Sequence, residues 1–144
     1  MPNAAFSKFN STAYDKWRGA FNLSSDSIKA MLTNVAPDPN SHYYTDLQPN
    51  ELVAGNGYVQ GGAIVPSTSV TNAAGVVTFN VGAVTWVSSI GSMGPYRYVV
   101  YYDDSAANKN LLGFYDLGAS LVLNGLNSDI ETVAPNGGAL FVDG

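Results

Sequence analysis

Tyr96-Arg97-Tyr98-Val99-Val100-Tyr101-Tyr102-Asp103 is the strongest strand pattern in the chain. β-branched and aromatic side chains suit a pleated, half-buried surface, and they fill most of this stretch. Alternation puts Tyr96, Tyr98, Val100 and Tyr102 on one face and Arg97, Val99, Tyr101 and Asp103 on the other. A strand apolar on both faces is either central in the fold or presents its second face to another chain.

Working outward, the polar run 104–110 leads into an apolar run at 111–117, which predicts a hairpin. Further short strands are expected at 119–123, 129–133 and 139–142, separated by Asn124-Gly125 and Asn136-Gly137-Gly138. Upstream, 84–87 is a strand centred on Trp86, which is expected in the core. Residues 63–71 and 76–81 flank an Asn72-Ala73-Ala74-Gly75 turn, with Val77, Phe79 and Val81 on one side of the second strand. A first strand is expected at 27–33, followed by a proline-bearing loop at 34–49. About eight or nine short antiparallel strands at these turn spacings predict an all-β, jelly-roll-like β-sandwich. The 144 residues make one domain, read as a β-sandwich over 23–144 preceded by an N-terminal arm over 1–22.

The arm carries the one helix pattern. Phe6, Phe9, Ala13 and Trp17 are spaced as one apolar stripe over 3–18. Asn3 or Ser11 is a candidate cap, Gly19 a stop, and Lys16 and Arg18 suit the last turn. Phe6, Phe9, Tyr14, Trp17, Arg18 and Phe21 are the candidate contacts to a neighbouring subunit. The alternative is a helix that packs on its own core.

Charge divides the chain. Residues 1–29 hold four cations against two carboxylates, while residues 30–144 hold two cations against nine. The acidic body disfavours sequence-independent binding to nucleic acid, and the basic head suits an acidic partner. No run approaches the roughly 18 apolar residues of a membrane span. The N-terminus lacks the pattern of a signal peptide. Asn10-Ser11-Thr12 and Asn22-Leu23-Ser24 match glycosylation sequons, which without a signal are read as chance.

Catalytic raw material is scarce. The chain has no Cys, one His, and 12% charged residues, whereas catalysis leans on groups that titrate near neutrality or hold a metal. Gly55-Asn56-Gly57-Tyr58-Val59-Gln60-Gly61-Gly62 has the wrong glycine spacing for a phosphate loop, and no helix is expected after it. It reads as a bend. His42 beside Asp38 and Asp46 does not match a zinc spacing. Asp103-Asp104 lacks the six or more oxygens that calcium takes. No GxSxG occurs. The reading is therefore no enzyme, no metal and no cofactor. The Tyr row at 96–102, with Tyr115, is left as core, protein contact or a platform for stacking sugars.

Taken in order, several segments resemble a family of small tailed-bacteriophage virion proteins of the head decoration, or cement, type. They are Leu23-Ser24-Ser25-Asp26-Ser27-Ile28-Lys29-Ala30-Met31-Leu32, Gly55-Asn56-Gly57-Tyr58 with Gly61-Gly62, Val84-Thr85-Trp86, Arg97-Tyr98-Val99-Val100-Tyr101-Tyr102-Asp103, and Leu111-Leu112-Gly113-Phe114-Tyr115-Asp116-Leu117-Gly118. The resemblance implies a β-sandwich on the outside of a capsid, assembled in the host cytoplasm. It also implies no cofactor and no chemistry. The expected partners are the major capsid protein and the chain itself, as a dimer or trimer, with no nucleic acid and no membrane. Rival readings are a tail- or fibre-associated virion domain, a carbohydrate-binding module using exposed Tyr, and a small hydrolase.

Overall fold

Tyr96–Asp103 belongs to a longer strand that takes the centre of the largest sheet. The computed structural model describes residues 6–135 and 138–143. Within them the chain runs β1 (Ser7–Lys8), α1 (Thr12–Trp17), β2 (Ile28–Thr33), α2 (Tyr44–Leu47), β3 (Ala63–Ile64), β4 (Ser69–Ala73) and β5 (Val76–Asn80). It continues through β6 (Val84–Val87), β7 (Ser92–Asp103), β8 (Leu111–Asn124), β9 (Ile130–Val133) and β10 (Ala139–Asp143). The strands form an all-β, sandwich-like fold of antiparallel sheets. Their orders are β1-β8-β7-β2-β3, β10-β5-β4 and β6-β9.

The two apolar faces of β7 are explained by its place. β2 and β8 hydrogen-bond to its two edges, and apolar side chains cover both faces. Val99 and Tyr101 enter the larger cluster with Ile28, Ala30, Leu32, Phe79, Trp86, Leu112 and Val133. Val100 and Tyr102 enter a smaller cluster with Phe9, Met31, Leu47 and Leu111. Each fully buried side chain of this size stabilises the fold by roughly 1.5–3 kcal/mol. Trp86 is buried, as its strand predicts. Tyr96 departs from the simple alternation: it sits in the larger cluster with Val99 and Tyr101. The β7–β8 ladder is irregular on both sides of Tyr96, so period-two counting fails there.

The same irregularity corrects the strand list. Residues 111–117 and 119–123 are one strand, β8, rather than two. Gly118 takes φ +92° and is passed as a bulge, so the chain bends without leaving the ladder. Conversely, 63–71 breaks in two. Pro66 offers no N–H, and Ser67 has φ +56°. The loop at 34–49 contains the short helix α2 and the start of a 3₁₀ turn at Gln48–Asn50. The 55–62 bend is irregular, as expected. At Gly62, φ is +87° and a Cβ would collide with the Ala30 carbonyl of β2, so only glycine fits.

The N-terminal helix is shorter than expected and is preceded by a strand. β1 pairs with β8, Ser7 opposite Phe114. Asn3 as a cap and the turn residues Asn136-Gly137 lie outside the described residues. Phe9 is 2% exposed. Residues 6–17 are thus fastened to the β body through a strand, a buried ring and a helix.

Candidate functional site

α1 has a polar inner face. Thr12 and Asp15 are its buried residues, one turn apart. The Thr12 hydroxyl donates to the Leu112 carbonyl at 2.7 Å. The Asp15 carboxylate meets His42 Nε2 at 2.7 Å and accepts from Asn110 Nδ2 at 2.9 Å and Arg18 Nε at 3.0 Å. A buried carboxylate needs such partners to offset its lost hydration. Ser11 precedes the helix but makes no side-chain cap bond. Gly19, at φ +80°, follows it as expected.

Turning Thr12 and Asp15 inward sends Ala13 and Trp17, the helical half of the expected apolar stripe, outward. Ala13 is exposed, and Trp17 is 91% exposed. Phe6 and Phe9 lie outside the helix, so the stripe is not one helical face, and the tertiary partners of Thr12 and Asp15 decide which face of α1 is buried. The structure divides the six candidate contact residues. Phe6 packs edge-on against Tyr101 and Tyr115, with ring centres at 5.8 and 5.2 Å. Phe9 packs on Phe114 at 5.4 Å, and Phe21 is half-buried against the larger cluster. These three are internal anchors. Tyr14, Trp17 and Arg18 face solvent together. The Arg18 guanidinium lies 5.1 Å from the Tyr14 ring centre, in cation–π range, while its Nε stays on Asp15. A shallow groove of about 270 Å³ adjoins α1, lined by Lys16, Phe21, Asn22, Leu23, Ser24 and Val70.

The other concave sites offer little chemistry. A groove of about 420 Å³ runs between residues 50–56 and 92–95, and Glu51 is its one titratable lining residue. That carboxylate accepts from Tyr44 Oη at 2.5 Å, Tyr58 Oη at 2.6 Å and the Gly61 N–H at 2.6 Å. Burial, then the bond to Glu51, pushes both phenols above their ordinary range.

His42 pairs with Asp15 rather than with Asp38 or Asp46. Asp46 instead accepts the backbone N–H of His42 and Tyr43, which holds its carboxyl below the usual range. Asp104 is engaged by Lys29 and Lys109, and Asp103 is fully buried. Among the described residues no three His, Asp or Glu side chains gather to hold a metal ion. The Tyr row is largely interior: Tyr96, Tyr101 and Tyr102 are buried, Tyr115 is 4% exposed, and Tyr98 is half-exposed.

Sequence reasoning missed the Asp15–His42–Asn110 network. Its members lie far apart in the chain, and no spacing rule joins them. No protein-family model, curated protein or solved structure matches the chain.

Proposed function

We propose that the chain is a structural, non-catalytic protein of a bacteriophage particle. It binds the outside of the capsid and stabilises the shell by docking on the major capsid protein through Tyr14, Trp17 and Arg18. The observation that carries this reading is Trp17, 91% exposed on a helix anchored to the body through Asp15. A solvent-facing Trp beside Tyr and Arg is the composition of an interface hot spot. The ordered resemblance to virion decoration proteins supplies the particle, and the basic neighbours Lys16 and Arg18 suit an acidic surface. The mechanism is mass action: each bound copy stabilises the assembled shell by its binding free energy, and the repeated lattice multiplies the effect.

The test is binding of the purified chain to phage shells that lack it. Trp17→Ala should leave folding intact and weaken binding by about 2 kcal/mol or more, some thirty-fold in Kd. Equal binding by the variant overturns the assignment of the surface. Binding to tails in place of heads, or quenching of Trp17 fluorescence by oligosaccharides with no shell binding, overturns the capsid reading in favour of a tail protein or a carbohydrate-binding module.

A further inference from the structure

The three-stranded sheet ends on β4, and among the described residues no strand pairs with that edge. β4 pairs only with β5 in its sheet, and all five of its residues are exposed. Ala74 and Gly75 have φ of 53° and 86°, the geometry of a two-residue type I′ hairpin turn. Such a turn makes Ala73 and Val76 a hydrogen-bonded pair. Alternation along the antiparallel ladder then makes Thr71–Thr78 and Ser69–Asn80 the next such pairs. The N–H and C=O groups of Val70 and Asn72 therefore point away from β5. Among the described residues none of these four groups has a backbone partner beyond the sheet.

Exposed edges are normally blunted by charge, proline, a bulge or a covering loop. β4 has no charged residue and no proline, and its register with β5 is unbroken. The neutrality extends well beyond it: no Asp, Glu, Lys, Arg or His occurs between Glu51 and Arg97. Yet Val53, Val59, Ile64, Val70, Val76, Val77, Val87 and Ile90 of this segment are exposed. The chain carries a net charge of −5, so two copies repel one another overall. Within residues 52–96, which include β4, no charged side chain opposes their approach.

We infer that β4 is a self-association edge, joining two copies antiparallel about a twofold axis at Thr71. Val70 of each copy exchanges two backbone hydrogen bonds with Asn72 of the other, and the two Thr71 residues face each other as the non-hydrogen-bonded pair between them. The result is a continuous six-stranded sheet in the order β10-β5-β4-β4-β5-β10. Val70 also lines the groove with Lys16, Phe21 and Leu23, so pairing at β4 sets the two grooves beside the junction and adds apolar contact to the four hydrogen bonds. The inference does not rest on the capsid reading: a chain that fails to self-associate can still bind shells, and a dimer can form with no shell present.

The absence of cysteine makes the test direct. At a non-hydrogen-bonded antiparallel pair the Cα atoms lie about 4.5 Å apart, within disulfide reach. Full-length Thr71→Cys should oxidise to a covalent dimer, while Thr85→Cys, exposed on β6, should stay a monomer on a non-reducing gel. Sedimentation of the unsubstituted chain should show a concentration-dependent dimer. Thr71→Lys, which places two ammonium groups face to face at the axis, should abolish that dimer with an unchanged circular dichroism spectrum. Asn72→Pro, which removes an outward N–H, should do the same. An unsubstituted chain that stays monomeric overturns the inference. So does a dimer that persists in Thr71→Lys, or one whose Thr71→Cys form stays reduced under oxidant.

Discussion

Asp103 and Asp26 lie within hydrogen-bonding reach of each other, and Asp103 has no exposed surface. Asp103 Oδ1 accepts the N–H groups of Ser105 and Ala106, while Oδ2 receives no donor among the described groups. A like charge so close disfavours ionisation of the buried Asp103. Burial, followed by the neighbouring Asp26, raises Asp103 to about 7.

A pH dependence follows with a definite sign. Between the ordinary Asp value of about 3.9 and about 7, the folded chain binds more protons at Asp103 than the unfolded chain does. Stability from this site therefore falls as pH rises through that window and is highest below it. The carboxyls of Asp46, Asp104 and Asp116 are depressed by their partners. Their contribution is present above the ordinary carboxylate range and is lost in stronger acid. Urea titrations should thus give greater stability near pH 5 than at pH 8. Asp103→Asn keeps the Oδ1 acceptor and supplies a permanent donor toward Asp26. It should stabilise the chain at pH 8, on the order of 1 kcal/mol, and flatten the difference between the two pH values.

Two buried rings should prove far more costly to remove than an exposed one. Trp86 and Phe9 are 4% and 2% exposed, and truncating either to Ala should cost about 3–5 kcal/mol. Removing residues 1–22 should cost more than a passive tail would, because β1, Phe9, Thr12 and Asp15 go with them. Thermal melting followed by circular dichroism checks all three. Trp17→Ala, as an internal control, should melt close to the unsubstituted chain.

Two buried tyrosines should respond to hydroxyl removal in opposite ways. Tyr101 Oη is buried with no hydrogen-bond partner among the described groups, so Tyr101→Phe removes an orphaned polar atom and should be neutral or stabilising, by about 1 kcal/mol. Tyr58 Oη donates to Glu51 and accepts the Leu32 N–H. Tyr58→Phe strands the Leu32 N–H and takes one of three donors from Glu51, and should cost about 1–3 kcal/mol. Equilibrium unfolding of the two variants in parallel measures the contrast.

Most strands were legible because a half-buried strand writes its period into sequence. Val84–Val87 matches its expected bounds, and Ile28–Thr33 differs by one residue. What was not legible depends on partners distant in the chain. Nothing near Thr12 and Asp15 signals that Leu112, Asn110 and His42 await them, so the buried polar face of α1 was not foreseen. Tyr96 fell on the wrong face because bulges do not announce themselves in hydropathy. For the candidate surface, the residue types were readable at Tyr14, Trp17 and Arg18. The separation of these from Phe6, Phe9 and Phe21 needed the β1–β8 pairing.

That pairing also sets an order of events. Ser7 meets Phe114, so β1 leaves the ribosome well before its partner strand is made. Until β8 emerges, Phe6 and Phe9 have no place to go, and the nascent chain carries unsheltered aromatic side chains. Long-range closure of this kind slows folding and prolongs exposure to aggregation. The protein should therefore acquire its structure largely after synthesis of β8, as a late event.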